Sequence, residues 1–524
     1  MRINFKSLSL PALLGLSLLM AGCTDLADSV EDGIGRETVG NGSQEISDPA
    51  AALVGVYSDL NGLRGAGGTY ALMEHTTDEM MGPTRGTDWS DFGVWRQLHA
   101  HSWDPSHAQI LTSWNQLNSG VFRASQVAEA SASTEQQVAE ARFLRAFFMF
   151  YVVDFFGQVP FREPDAAPND VPVVMSRSDA FEFIVQDLIT ARPHLISLSA
   201  GSDAGVASQE AVDFLLAKLH LNKAVYMSSN PENPNAGPYD FDNSDMDEVI
   251  ARVQNIIDNP YTELSDYFDN FHWDNANLSN ELLFVRQATT GGSNNFVHFS
   301  WTLHYNHSPT GCCNGFTTLP DFYNSFESDS DIRTGTFVPG MSEETGILAG
   351  FLEGQQYDGF NGSVDNPGSP LNDRGGNPLI FTPDVDLFYS NERMGIRVIK
   401  YLINTDNPTQ PGTDYVFFRY ADALLMKAEA HFRKGETSAA LEIINEIRTH
   451  RNATALGNLS EQDILNERGY ELYWEGWRRN DLVRFGSFTQ EWYQKPDSDE
   501  FRILFPIPQR ALDTNPNLVQ TAGY

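Results

Sequence analysis

Three carboxylates recur at four-residue spacing in the segment Ser460–Gly486: Glu467, Glu471 and Glu475. On a helix this spacing stacks them on one face, about 5–6 Å apart. A pair of carboxyls in a cleft can run acid/base hydrolysis of a glycosidic bond. That chemistry needs one carboxyl held protonated, away from cations. Here Arg468, Arg478 and Arg484 crowd the same segment, and bidentate guanidinium pairs push carboxyl pKa values down. The composition therefore favours a structural ion-pair network, with these arginines as its cations, over an acid/base machine. Other chemistry-bearing clusters are weaker. His99 and His101, and His304 and His307, lack the further ligands of a metal site. Asp240, Asp242, Asp245 and Asp247 lack the glycine and terminal glutamate of an EF-hand loop and read as a solvated cap before a helix near Ser244. No phosphate loop or dinucleotide fingerprint occurs, and no cofactor or metal is expected.

The elements that must position these residues read as mostly helical. Asp48-Pro49 opens a helix carrying Leu53, Val54 and Tyr57. Asp104-Pro105 opens a long one, to about Ala130, and Thr134 with Gln137 forms a capping box for the next, to about Phe156, where Gly157 and Pro160 stop it. Further helical patterns cover 178–196, 208–229, 244–259, 414–433 and 436–451. The last two are joined at Gly435 and approach through Ala428, Ala430, Ala439 and Ala440, in the manner of a tetratricopeptide unit. Ser460 with Asp463 starts the helix that carries the glutamate row, read as continuous to Gly486. The stretch 74–104 is polar and aromatic without sustained periodicity and reads as loop. Residues 270–413 are rich in glycine, asparagine, proline and aromatics. They read as an irregular insert with short strands at ELLFVRQ and GIRVIKYL. The fold expected is a helical solenoid of about four helix pairs, divided into a helical region 48–269, the insert 270–413 and a C-terminal helical region 414–524.

The row Glu467, Arg468, Glu471, Leu472, Glu475, Gly476, Arg478, Asp481, Leu482, Arg484 and Gly486 resembles the signature of the SusD/RagB family. The helix core EARFLRAFFMFYVVDFFGQVPF and the tail LFPIPQRALDTNPNLVQTAGY resemble that family as well. Its members are surface glycan-binding lipoproteins of Bacteroidetes. The resemblance implies a SusD-like fold without catalysis, glycan capture outside the outer membrane, and delivery to a SusC-like TonB-dependent transporter. A peptide-capturing relative and a pure transporter lid are the alternatives, with a glycoside hydrolase behind them.

The N-terminus suits that placement. Arg2 and Lys6 precede an apolar run, Leu8–Met20, with the length of a signal-peptide core, so residues 1–22 read as a signal peptide. The run ends Leu19-Met20-Ala21-Gly22-Cys23, a lipobox-like sequence that makes Cys23 the lipidation site, followed by an acidic tether to residue 47. The membrane is then met through the lipid anchor alone. The formal net charge of −36 argues against nucleic-acid or anionic-lipid binding and, mildly, against acidic polysaccharides. Neutral β- or α-glucans, such as laminarin, suit it better.

A sugar ring offers an apolar face to an aromatic platform. One platform buries about 60 Å², worth roughly 1.5 kcal/mol at about 25 cal/mol/Å², whereas a millimolar site needs about 4 kcal/mol. Two or three rings are therefore required, with polar groups to orient the sugar. Two segments have that make-up. The first contributes Arg85, Asp88, Trp89 and Trp95. The second contributes Trp273, Asn295, Trp301, His304 and Tyr305. Trp89 and Trp301 are the preferred platforms, while Trp114, Trp474 and Trp477 lie in helical patterns and are assigned to the core. Beside the second segment stand adjacent Cys312 and Cys313. In an oxidising compartment they pair as a strained vicinal disulfide, forming an apolar knuckle near Trp301 and Tyr305, or they remain free thiols.

Overall fold

The computed structural model describes residues 36–38, 44–166, 170–201, 203–228, 237–288, 301–309, 311–328, 330–408 and 411–524. Cys23, the signal and tether segments up to residue 35, and Asn295 lie outside them. The chain begins with a small antiparallel pair, β1 (Arg36–Thr38) and β2 (Gln44–Ile46). The helices α1 (Pro49–Asp59), α2 (Thr69–Glu74), α3 (Val94–His99), α4 (Ala108–Ala128) and α5 (Glu135–Phe156) follow. A hairpin-like pair, β3 (Gln158–Phe161) with β4 (Val173–Ser176), leads to α6 (Arg177–Ala191), α7 (Gln209–Tyr226) and α8 (Asn243–Ile257). Consecutive helices pack in turn, α4 on α5, α5 on α6, α6 on α7 and α7 on α8.

The stack then continues across a gap in sequence. Helix α8 packs on α12 (Tyr420–Arg433), which packs on α13 (Thr437–His450) and α14 (Glu461–Leu472). After it come α15 (Arg478–Arg484) and the tail helix α16 (Gln509–Thr514). The architecture is the mostly α, paired-helix solenoid expected. Helix α5 is its axis. Seventeen of its residues, from Ala139 onward, are buried, as an all-round apolar helix must be. Its approach to α4 is close: a Cβ on Gly120 would come within 2.6 Å of the Phe148 ring. Of the buried ionisable residues on α5, Arg145 pairs with Asp187 at 2.7 and 2.8 Å, Asp154 with Arg479 at 2.8 Å, and Glu140 accepts from the Tyr57 hydroxyl at 2.8 Å.

The intervening segment leaves and re-enters the body through one antiparallel pair, β5 (Leu282–Arg286) with β11 (Tyr415–Arg419). Their phenylalanines seal against α5, Phe284, Phe417 and Phe418 each standing 5.1–5.4 Å from Phe147. The short helix α9 (Asn275–Leu278) precedes β5, and α10 (Pro320–Asn324) and α11 (Met341–Thr345) lie between the two strands. The strands β6 (Gly335–Thr336), β7 (Ala349–Leu352) and β10 (Arg397–Ile399) form a three-stranded sheet, and β8 (Gly354–Gln355) pairs with β9 (Ile380–Phe381).

Several expectations need correction. Residues 415–419 form a strand before the helix at 420, because the aromatic and β-branched run YVFFR pairs with β5 and is buried on both faces. The long helix starts at Ala108, not Pro105: the Asp104 carboxylate accepts the Ser106 amide at 2.7 Å and holds a turn first. The stretch 74–104 contains a helix, α3, and the insert contains α9–α11. The glutamate-row helix breaks after Leu472. Tyr473 is extended, and Trp474 and Gly476 have φ of 59° and 85°. The break is held from outside: Glu74 accepts the Gly476 amide at 2.5 Å and Glu79 the Trp474 amide at 3.2 Å. Gly476 is required there, since its φ favours glycine and a Cβ would meet Met73 at 2.8 Å.

Candidate functional site

The glutamate row is a buried ion-pair network, with cations other than those expected. Glu467 is paired by Arg333 and Arg448, each at 2.7 Å. Glu471 is paired by Arg419 (2.7 Å), Arg451 (2.8 Å) and Arg333 (3.1 Å). Glu475, in the turn after α14, meets Lys400 (2.6 Å) and Arg419 (2.7 Å). Arg468, Arg478 and Arg484 turn elsewhere, to Asp422 and Asp481, to Asp78, and to Glu429 and Asp481 respectively. The sequence could show the arginines near in register but not those brought from Arg333, Lys400 and Arg419. Burial raises the Glu471 carboxyl, but the three guanidiniums outweigh it and hold it well below its ordinary range, the opposite of a catalytic acid. The network fastens the insert, through Arg333 and Lys400, to the helical body. The Asp78–Arg478 pair, bidentate at 2.7 Å, fastens the segment that leads into the loop 82–93.

That loop holds three of the candidate residues, Arg85, Asp88 and Trp89, and α3 directly after it carries a fourth, Trp95. The Arg85 and Asp88 backbones exchange hydrogen bonds at 2.9 and 3.0 Å. The Arg85 side chain is buried, 4% exposed, and donates to the carbonyls of Gly315 (3.2 Å), Asn391 (2.6 Å) and Met394 (2.7 Å). Trp89 lies 4.7 Å from Phe316 and gives its indole N–H to the Cys313 carbonyl at 2.6 Å. Trp95 is buried against His75 and Phe316 at 4.9 and 5.2 Å and donates to Asp91 at 2.6 Å. Trp301 packs at 6.1 Å from Phe316 and 6.2 Å from Tyr70. His304 is buried and pairs with Glu392 at 2.9 Å. Arg85, Trp95 and His304 are thus supports beneath the loop, because their surface is covered and each bonds protein partners, Arg85 through Nε and Nη1. The rings of Trp89 and Trp301 are half-buried in the same aromatic cluster. Trp273 stands apart from it: its ring lies on His272, centroids 3.7 Å apart, at the entrance to α9.

What this packed base supports is a set of rings that the sequence did not single out. Trp89, Asp91 and Phe92 have φ of 59°, 33° and 54°, conformations that non-glycine residues avoid. They turn Phe92 fully into solvent, 104% exposed. Beside it runs the segment 384–395, held to the loop by Thr84 N–H to the Leu387 carbonyl and Ser390 N–H to the Thr84 carbonyl, both 3.1 Å. The Asp386 carboxylate accepts the amides of Phe388 and Tyr389 at 2.8 Å and displays both rings, 54% and 85% exposed. The Arg96 guanidinium spans the two turns. It hydrogen-bonds Thr84, lies 5.3 Å from the Phe388 ring and touches Gly93.

A polar edge adjoins the rings. Asp88 accepts from the Tyr305 hydroxyl at 2.7 Å and from Arg374 at 2.9 Å. Arg374 stacks 3.9 Å above the Tyr305 ring and hydrogen-bonds Glu392. The Tyr305 hydroxyl holds the Asp88 carboxyl below its ordinary value, and the Arg374 guanidinium adds to this. Burial and the adjacent Asp88 push the Tyr305 phenol up to about 12. For Glu392 burial acts upward, and the Arg374 amide, His304 and the Arg374 side chain outweigh it. The edge is therefore Asp⁻, Glu⁻ and Arg⁺ with a neutral tyrosine at any physiological pH. Exposed rings beside fixed donors and acceptors are what binding a polyhydroxylated ring requires. Among the described residues no group of three or more His, Cys, Asp or Glu is placed to hold a metal. The signal that could have found Phe388 and Tyr389 is the run DLFYSN, adjacent aromatics after an Asp that bonds amides two and three residues on.

The family model for the SusD family matches residues 382–524, the segment that carries the glutamate-row signature and two of the displayed rings, Phe388 and Tyr389. Starch-binding protein SusD of Bacteroides thetaiotaomicron is 26% identical over 505 residues, covering 87% of this chain and 85% of that protein. SusD-like protein P25 of Formosa agariphila is 25% identical and covers 91% and 92%. Among solved structures, a laminarin-binding SusD-like protein superposes with a TM-score of 0.69 at 18% identity, over 92% of this chain and all of that one. Surface glycan-binding protein A of Bacteroides thetaiotaomicron, solved with laminarihexaose, gives 0.65 at 18% identity, over 90% and 98%. The C-terminal segment thus matches the SusD family model, and over nearly its whole length the chain is similar to SusD and SusD-like proteins and shares their fold.

Proposed function

We propose that this protein binds a neutral glycan at the rim formed by Phe92, Phe388, Tyr389 and Tyr305. It does so without catalysis and hands the ligand to a SusC-like TonB-dependent transporter. The observation that carries the reading is the display of three strongly exposed rings on two turns that hydrogen bonds hold together, one of them strained, with a fixed polar set on the same loop. Three platforms at roughly 1.5 kcal/mol each reach the roughly 4 kcal/mol a millimolar site needs. A polymer then gains by repeated contact. The cation of the edge, Arg374, is already matched by Asp88 and Glu392, so the rim offers no net attraction to sulfated or uronic polymers. The names of the relatives, starch-binding and laminarin-binding, support a glucan. We take Cys23 as the lipid anchor and, from the likeness to SusD-like proteins, the outer face of the outer membrane as the place of display. A chain without residues 1–23 is run through gels containing starch, laminarin and acidic polysaccharides. Retardation by a neutral glucan, lost in Tyr389→Ala, is the expected result. No retardation by any polysaccharide overturns the glycan reading and leaves peptide capture or a lid role.

A further inference from the structure

The Cys312–Cys313 disulfide closes the middle of a loop, 311–315, whose contacts run to the turn that displays Phe92. The Cys313 carbonyl accepts the Trp89 indole N–H at 2.6 Å. The Trp89 ring lies flush on Gly315, where a Cβ would come within 2.3 Å of it. The Gly315 carbonyl accepts from Arg85 at 3.2 Å. Both ends of the loop are pinned: the Gly311 amide donates to the His307 carbonyl at 2.7 Å, and buried Asn314 accepts from Arg397 at 2.7 Å and donates to the Glu392 carbonyl at 3.1 Å. Cys312 between them is exposed. A bond between neighbouring residues removes most of the freedom of the peptide they share, and so fixes where the Cys313 carbonyl points.

The partner of that carbonyl is the first residue of the strained turn. Backbone at positive φ persists only where its surroundings over-determine it. Two side-chain hydrogen bonds do so here, Trp89 to Cys313 and Trp95 to Asp91. We propose that the Cys312–Cys313 disulfide is a positioning device for the ligand rim. By fixing the carbonyl that receives the Trp89 indole, it holds the Trp89–Phe92 turn in the form that projects the Phe92 ring. This inference rests on the glycan reading for its consequence, not for its mechanism, and the two are tested apart.

Amide hydrogen exchange over residues 89–92 needs no ligand. It is expected to accelerate in Cys312→Ser/Cys313→Ser relative to wild type while the protection of α5 stays unchanged. Equal exchange at 89–92 overturns the proposal, as does finding both cysteines alkylated in the non-reduced protein. If the double variant does not fold, folded wild type treated with dithiothreitol takes its place. The dithiol supplies two electrons, the S–S bond becomes two thiols, and the reagent leaves as its cyclic disulfide. With a glucan that wild type binds, Phe92→Ala is expected to cost about tenfold in the oxidised protein and less than about twofold in the double-serine background, because the ring is no longer held. Equal losses in both backgrounds also overturn it. Failure of wild type to bind any glucan, with faster exchange in the variant, sinks the glycan reading and leaves the positioning role standing.

Discussion

At the residue scale the site is decided by which rings are spent on packing. Trp89, Trp95 and Trp301 share Phe316 as a neighbour and hold the loop from below. Phe92 makes no such investment and is available to a ligand. Phe92→Ala should therefore weaken glucan binding about tenfold, the worth of one ring, with the melting temperature unchanged. Phe92→Gly should lose as much binding and still melt no lower. Relief of a positive φ, worth about 1 kcal/mol, offsets the roughly 0.4–1 kcal/mol of extra unfolded-state entropy. Titration calorimetry with the glucan and a thermal melt of each variant check both halves.

At the element scale the broken helix α14–α15 is the joint between body and site. Its carboxylates neutralise cations carried by the insert, and its turn is gripped by Glu74 and Glu79 from the segment before the binding loop. Glu471→Gln leaves Arg333, Arg419 and Arg451 short of a buried counter-charge. It should cost about 3–5 kcal/mol in urea unfolding. The same joint predicts a pH dependence. Burial raises the Glu74 carboxyl to about 8 from an ordinary 4.5, against the opposing Gly476 amide and Lys400, with Glu475 and Asp78 adding to the rise. A raised acid stabilises the fold below its unfolded pKa, and that contribution is lost as pH climbs toward 8. Glu429 is the converse. Burial acts upward, but Arg484 and Arg433 bring it down to about 2, so its contribution is present above 4.5 and lost as pH falls toward 2. Unfolding free energies measured from pH 5 to 8.5 should decline in wild type and decline less in Glu74→Gln. Parallel curves would count against this assignment.

At the scale of the whole molecule, charge and topology set how the site is used. The chain is strongly acidic, with 70 acidic against 34 basic side chains, while the rim pairs its own charges internally. Binding of a neutral glucan should then be insensitive to ionic strength between about 50 and 500 mM salt, since the ligand carries no charge for the changing screening length, about 14 Å falling to about 4 Å, to act on. A steep salt dependence in the gel assay would point instead to a charged ligand. Topology carries the rim as well. The strand pair β5–β11 lets a long irregular segment leave the solenoid and return without interrupting it, α8 packing on α12 as though the segment were absent.

The sequence determined the solenoid, because apolar periodicity, capping boxes such as Thr134/Gln137 and Ser460/Asp463, and stops such as Gly157 are local signals that act within a few residues. It also determined that the glutamate row is structural, since the balance of charge types in one segment is readable without coordinates. It singled out two segments, 85–95 and 273–305, of which the structure brings Trp301 and Tyr305 to the first while Trp273 stands apart. The choice of cations for Glu467, Glu471 and Glu475, the break at Trp474 and the rotation of Phe92 into solvent were settled by the tertiary structure. Each depends on partners distant in sequence: Arg333 on Glu467, Lys400 on Glu475, Glu79 on Trp474, and the Cys313 carbonyl on Trp89. An aromatic residue in a loop carries no local mark of whether its face will be covered. That is fixed by what the rest of the chain packs against it.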